Sequence, residues 1–267
     1  MSLAKQYCRE ILRELDHLPV FLPGRNVQVG DVIKFGRINL FSRPLGEFDL
    51  ITTLDQLKVD VQTRKDPEPD PFLYASKSGV SISFKLGAGN GAGANGSLSV
   101  GFTKEGTVYL AALGCVREEM TNVHTLATQL TPHRDQVDWN NCYIVTSVTT
   151  AARAVMMQSN SNRGQLMISG DAQGLNPMGG GPINANAKFS VSSYKDASFI
   201  KDLSREAPVF LSLVRYKKNW IGDWGVGPRA FAAHGNGAAA ISADVPYVIV
   251  SVDRDEILAD EPEPVNV

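Results

Sequence analysis

Cysteine is scarce in this chain: three in 267 residues, with no CxxC and no other metal-ligand spacing. Cys8, Cys115 and Cys142 therefore offer no disulfide framework, and with no export signal they are expected to be free cytosolic thiols. Apolar runs are short, and none approaches the roughly eighteen residues of a transmembrane helix. The start, MSLAKQYCREILREL, carries charge through its apolar stripe, unlike a secretory signal. There is no excess of positive charge either: the net charge is −2, which argues against a generic nucleic-acid binder. Catalytic signatures are missing as well. The sequence holds no Ser-His-Asp elbow, no paired acids in a cleft motif, no dinucleotide fingerprint and no HExxH. No catalytic residue, metal or dissociable cofactor is expected. An enzyme of unrecognised type would have to use His124 or His133 with Asp135.

What the chain does have is β-alternation and glycine. Hydrophobic residues make up 43% and charged residues 20%, as in a folded globular protein. From Gly79 to Cys115, apolar residues alternate with small or polar ones: Ile82, Phe84 and Leu86, then Leu98, Val100 and Phe102, then Val108 and Leu110. A side-chain period of two marks β-strands with one apolar face. Between the first two runs lies LGAGNGAGANGS, almost free of side chains. Such a stretch fixes strand register weakly, and it matches no phosphate-cradling motif because it lacks Lys-Ser/Thr and a following helix. A soluble ligand-binding α+β module would use it as a binding loop.

The N-terminal residues 3–18 predict an amphipathic helix ended by Pro19, with Tyr7, Ile11 and Leu12 on an apolar arc. Lys5, Arg9 and Arg13 recur on its other side as a basic ridge. Short strands follow around the turns at Pro23-Gly24 and Gly30-Asp31, and 66–71 (DPEPDP) is an acidic, proline-rich loop. Residues 117–131 predict a second helix, stopped by Pro132. The β-branched stretch NNCYIVTSVTTAARAVM, with QLMISG after the turn SNSNRG, predicts a second long hairpin over 141–170. A Gly/Asn/Pro loop at 171–187, a strand in KFSVSSY and an apolar strand at 207–220 complete the body. Residues 222–243 have linker composition, open to proteases. The segment 244–267 adds one apolar strand and carries seven acids against one base. Its charge of −6 leaves +4 on residues 1–243.

Four segments together resemble the gasdermins, a family of pore-forming proteins. LAKQYCREILRELD is similar to the family's N-terminal helix, with Lys5, Arg9 and Arg13 at its basic positions. NNCYIVTSVTTAARAVM resembles the strand that opens the second membrane-inserting hairpin, and Gly79–Cys115 falls where the first would lie. FIKDLSREAPVFLSLVRYKK is similar to the basic strand that closes the pore-forming domain. The resemblance covers about residues 1–220 and implies an α+β fold, a twisted antiparallel sheet with flanking helices. Vertebrate members continue with a large helical inhibitory domain, whereas this chain has a short tail, as in the bacterial type.

The resemblance then implies a pore-forming domain (1–221), a protease-sensitive linker (222–243) and an autoinhibitory C-terminal peptide (244–267) acting through Val245, Tyr247, Ile249, Ile257 and Leu258. It implies lipidation, a palmitoyl group, on Cys8. The membrane-inserting positions would be Ile82, Phe84, Leu86, Leu98, Val100, Phe102, Val108, Leu110, Tyr143, Val145, Val155, Met157, Leu166 and Ile168. Its partners would be an activating protease, membrane lipid and copies of itself, with no nucleic acid. The resting form would be cytoplasmic and the cleaved form a β-barrel pore in the inner membrane, killing the cell in anti-phage defence.

Overall fold

The computed structural model describes residues 7, 10–14, 18–20, 26–35, 48–67, 72–86, 95–171, 189–203, 205–218 and 247–252. Its core strand is β9 (Tyr143–Ser159), seventeen residues rich in β-branched side chains. One edge of β9 pairs antiparallel with β8 (Val108–Met120) and, near its start, with β2 (Asp31–Phe35). The other edge pairs with β13 (Ala207–Lys218) and β12 (Ala197–Leu203). Beyond these, β3 (Phe48–Thr53) pairs with β2, and both β4 (Thr63–Pro67) and β5 (Phe72–Ala75) pair with β8. The outer edge of β13 takes β1 (Leu18–Pro19) and β14 (Tyr247–Ser251). This is the ten-stranded sheet. A separate four-stranded sheet runs β11 (Phe189–Lys195), β10 (Gln165–Asp171), β7 (Asn95–Phe102), β6 (Val80–Leu86).

Both faces of the large sheet are covered. Tyr7 and Ile11 of the N-terminal helix α1 (residues 10–14, with Tyr7 one turn before) pack on one face with Val108, Leu110, Ala154 and Met156. On the other face, Tyr109, Ala111, Leu113, Val155 and Met157 meet Leu98, Val100, Phe102, Leu166 and Ile168 of the small sheet. A third cluster gathers Leu126 and Leu130 of α2 (Leu126–Leu130) with Trp139, Ile144 and Tyr216. The Trp139 and Tyr216 rings pack edge to face at 5.3 Å.

Secondary structure departs from the sequence expectation in three places. The helix expected over 117–131 shrinks to α2 and a 3-10 turn at Val123–Thr125, because Arg117–Met120 complete β8. That end of β8 is paired on both edges, and its acids meet bases across to β4: Arg64 with Glu119 at 2.6 Å, Lys65 with Glu118 at 3.3 Å. Two-sided backbone pairing outweighs a weak helical propensity. Asp66 and Pro67, expected in a loop, belong to β4. The described residues are mostly antiparallel sheet with few helical turns, so flanking helices contribute less than an α+β description implies.

Candidate membrane-inserting sheet and its corner

The hairpin expected over 141–170 is not a hairpin here. β9 lies in the large sheet, while β10 pairs with β7 and β11 in the small one. The turn between them, 160–164, is a corner where the chain changes sheet. The same happens at 103–107 between β7 and β8, at 76–79 between β5 and β6, and at Asp196 between β11 and β12. The strand order is the same on both sides of the corner: β5, β8, β9, β12 in one sheet and β6, β7, β10, β11 in the other.

Register is carried across in the central pair of strands. Val108 faces Gln158 below the corner and Gly101 faces Gln165 above it, equal steps of seven residues on both strands. From Ala75 opposite Tyr109 to Val80 opposite Phe102, the steps are five and seven. The small sheet is thus the large sheet's four strands continued and folded back. If the corner were extended, β7–β8 and β9–β10 would keep their partners without a slip, the change that otherwise flips every side chain to the other face.

The corner is held by a buried polar cluster. Gln158 and Ser159 are 1% and 0% exposed. Gln158 Nε2 donates to the Gly106 carbonyl at 3.0 Å. Ser159 Oγ lies 2.8 Å from the Ser161 carbonyl and 3.2 Å from that of Asp196. Ser161 Oγ donates to the Asp196 carboxylate at 3.2 Å. Backbone bonds from Gly106 N–H to Ser159 O (2.8 Å) and from Ser159 N–H to Thr107 O (3.0 Å) close the turn. Gly164 is required for space: a Cβ there would collide with Ser159 Oγ and sit 3.0 Å from its Cβ.

The small sheet has two unlike faces. On the face turned to the large sheet, cross-strand rows run Ile82–Val100–Leu166–Tyr194 and Phe84–Leu98–Ile168–Val191. On the outer face they run Lys85–Ser97–Ser169–Ser190 and Ser83–Ser99–Met167–Ser193. Apolar and hydroxyl rows alternate because the pleat turns successive side chains to opposite faces. At the edges the apolar rows are open to solvent: Leu86 is 69% exposed and Tyr194 59%.

The structure distributes the predicted inserting positions over several environments. Leu98, Val100, Phe102, Leu166 and Ile168 are together, buried between the sheets. Val155 and Met157 face them from the large sheet. Val108 and Leu110 lie on the opposite face of β8, under α1. Tyr143 and Val145 pack at the far end of β9 with Leu18 and Leu213. Of the basic ridge, Arg13 is exposed, while Lys5, Cys8 and Arg9 lie outside the described residues, as do both glycine-rich loops and 222–243. Strand β12 went unpredicted because ASFIKDL lacks a clean alternation.

Two polar contacts hold α1 on β5 and on the turn that follows it. Tyr74 O–H donates to Glu10 Oε1 at 2.6 Å, and Lys77 Nζ lies 2.6 Å from Glu14. Burial, then the bond to Glu10, pushes the Tyr74 phenol far above its ordinary range. At the C-terminus, β14 lies along β13 from Val214 to Lys218, with Ile249 opposite Tyr216. Ile249 packs against the α2 cluster, and Val252 N–H donates to Leu213 O at 3.2 Å. Val245, Ile257 and Leu258 lie outside the described residues.

Elsewhere, burial raises the Asp31 carboxyl and the Cys142 thiol above their ordinary values. His133 Nδ1 lies 3.2 Å from Gln136 Oε1, and Asp135 pairs with Arg134 at 3.6 Å, while His124 is exposed. These contacts do not assemble a His–Asp pair. Among the described residues no three His, Cys, Asp or Glu side chains are grouped to hold a metal ion. No helix of the described residues is long and apolar enough to cross a membrane. An open groove of about 510 Å³ between β11 and β12 is lined by Ser192, Tyr194, Ile200 and Asp202. The Asp202 carboxylate there already accepts the Val191 N–H at 3.0 Å.

By its described residues the chain is an antiparallel β protein of two sheets joined at a corner. Among solved structures it is similar to gasdermins. The membrane pore of gasdermin A3 aligns at 11% identity and TM-score 0.33, over 85% of this chain and 98% of that one. A bacterial gasdermin from Bradyrhizobium tropiciagri aligns at 14% identity and TM-score 0.36, over 90% of this chain and 88% of that one. Overlaps of this size carry no argument by themselves. No family model and no curated protein matches the chain.

Proposed function

We propose that this chain is an autoinhibited, gasdermin-type pore-forming protein. The observation that carries the reading is the continuity of strand order through the corner, and of register in the central pair β7–β8 and β9–β10. Opening the corner turns two stacked sheets into four long antiparallel strands in the same order, the central pair β7–β8 and β9–β10 with no re-pairing. Tilted strands of about nine to eleven residues span a bilayer. An isolated set of such strands leaves unpaired backbone groups at its edges in hydrocarbon, so only a closed ring of many copies is stable there. Self-assembly is therefore part of the reading.

The acidic C-terminal segment is the restraint. Through β14 it occupies the edge of β13 beside Arg215, Lys217 and Lys218. Cutting within 222–243 would release it and expose a body of charge +4. Each base near an anionic surface then contributes about 1 kcal/mol to membrane binding. Arg13 and the rest of the basic ridge would add to this attraction. The consequence for a host cell is permeabilisation and death, which suits a defence role against phage.

The test is dye release from anionic vesicles. The full chain should leave vesicles sealed, and the same chain cut at a protease site engineered into 222–243 should empty them. Sealed vesicles after complete cutting would overturn the reading and favour a soluble binding module.

A further inference from the structure

Within the pore reading, on which this inference rests, each copy must meet its two neighbours through two different surfaces, because a closed ring is built from head-to-tail contacts. The large sheet offers two edges for this, on opposite sides of β9. On one side its path ends at β13 with β14 laid along it, and on the other it ends at β3. Among the described residues no strand pairs with the outer edge of β3. That strand presents Leu50, 56% exposed, and Ile51, 46% exposed. An exposed apolar edge strand is a template for pairing with another chain.

Strand direction decides how the two edges can meet. β14, β13, β9, β2 and β3 are each antiparallel to the next, so β3 runs in the same direction as β14. A neighbouring β3 therefore fits antiparallel to β13 with both copies the same way up, as a ring requires. The opposite parity would turn the neighbour upside down. The two edges are also level. One row runs Ser251–Val214–Ile144–Val32–Thr52. The next joins Val250 to Arg215, which lies over the Tyr143 ring at 5.3 Å, and continues from Tyr143 through Ile33 to Leu50.

We infer that β3 of one copy takes the place of β14 on the β13 edge of the next, so that the large sheet runs on from copy to copy around the ring. Extending the rows puts Thr52 at the position of Ser251, and Leu50 at that of Val250, opposite Arg215. A hydroxyl replaces a hydroxyl and an aliphatic side chain an aliphatic one. Asp49 is the exception, falling at the position of Ile249. Since Ile249 packs against the α2 cluster, the tethered β14 is the better occupant, and the edge stays closed to a second copy until the clasp is cut away. The clasp thereby blocks assembly itself.

The test uses the full chain with the protease site in 222–243, cut on anionic vesicles. Leu50→Lys and Leu50→Glu give one exposed position opposite charges, and vesicle co-sedimentation and the urea midpoint are recorded for both. In Leu50→Lys the new ammonium meets Arg215 and the exposed Lys217 of the next copy. Dye release should slow roughly tenfold or more, since the repulsion recurs at every contact in the ring. Leu50→Glu meets the same bases and should stay within about twofold of the parent. Attraction to the anionic vesicles favours Lys over Glu, so it cannot produce this order. In a second arm, Leu50→Cys and Lys217→Cys chains are mixed, cut on vesicles and treated with a short bismaleimide. The two positions lie diagonally across the seam, about 7–8 Å apart. A cross-linked pair should form that neither the uncut mixture nor the parent with its native cysteines shows. Equal rates for Leu50→Lys and Leu50→Glu, or no cross-linked pair on leaking vesicles, would overturn the β3–β13 contact and leave the pore reading standing. Sealed vesicles for the cut parent would overturn both.

Discussion

Replacing Gly164 with Ala places a methyl group inside the corner, where the packing leaves none. The new Cβ would overlap Ser159 Oγ, lie 3.0 Å from Ser159 Cβ and 3.3 Å from the Asp196 carbonyl. Ser159 is fully buried, and its hydroxyl sits 2.8 Å from the Ser161 carbonyl and 3.2 Å from that of Asp196. It cannot turn away without giving up those partners. Gly164 has no positive φ, so the backbone accepts alanine and the effect isolates the collision. Overpacking costs about 1–3 kcal/mol and a displaced buried hydrogen bond about 1 kcal/mol more. The total is roughly 2–4 kcal/mol. With a urea m-value of about 3 kcal/mol/M, the unfolding midpoint of the full chain should fall by roughly 1 M. Combining Gly164→Ala with Ser159→Ala removes the oxygen that collides, so the double variant should be less destabilised than the two single effects added. An unchanged midpoint for Gly164→Ala, or strict additivity, would refute the view that close packing on Ser159 holds the corner shut.

Two further outcomes follow from groups packed on the large sheet. Asp31 is 8% exposed and its carboxyl is raised by burial, with a bond from the Gln28 N–H at 2.9 Å opposing the rise. A carboxyl raised in the folded state adds stability below its unfolded pKa of about 3.9, and that gain is lost as pH rises through the folded value. Asp31→Asn, which keeps an acceptor for Gln28, should therefore raise the urea midpoint at pH 7 and match the parent near pH 3; a lower midpoint at pH 7 would contradict this. Ile249→Asp puts a charge against the apolar α2 cluster opposite Tyr216, where the half-buried carboxylate would be partly stripped of water. Under the proposed restraint, the uncut variant should release dye from anionic vesicles where the uncut parent does not, and vesicles sealed to both would argue that β14 is not the clasp.

Much of the β structure was legible in the sequence because it is written in side-chain period. The alternations at 82–86, 98–102 and 108–110 and the β-branched stretch after Tyr143 all lie in strands. The burial of Tyr7, Ile11 and Leu12 follows from a helical spacing of the same kind. Arg117–Met120 read as helix in the sequence because the helical spacing of Met120, Val123, Ala127 and Leu130 hides pairing with residues some fifty positions earlier and thirty later. The C-terminal strand was visible as VPYVIV, but its partner, Val214–Lys218, was not.

Periodicity states that a stretch is a strand and which of its residues share a face. It cannot state which strands are neighbours, since pairing depends on backbone groups that every residue carries alike. So the sequence by itself determined the alternating runs, the side-chain-poor loops and the acidic tail after a linker-like segment. Only the tertiary structure decided that β9 and β10 lie in different sheets. It also decided that four strands turn the same corner in the same order, the central pair in register, and that the outer face of the small sheet is rich in serine. The corner is a property of Gly106, Ser159 and Asp196 meeting across three segments, and no local pattern records such a meeting.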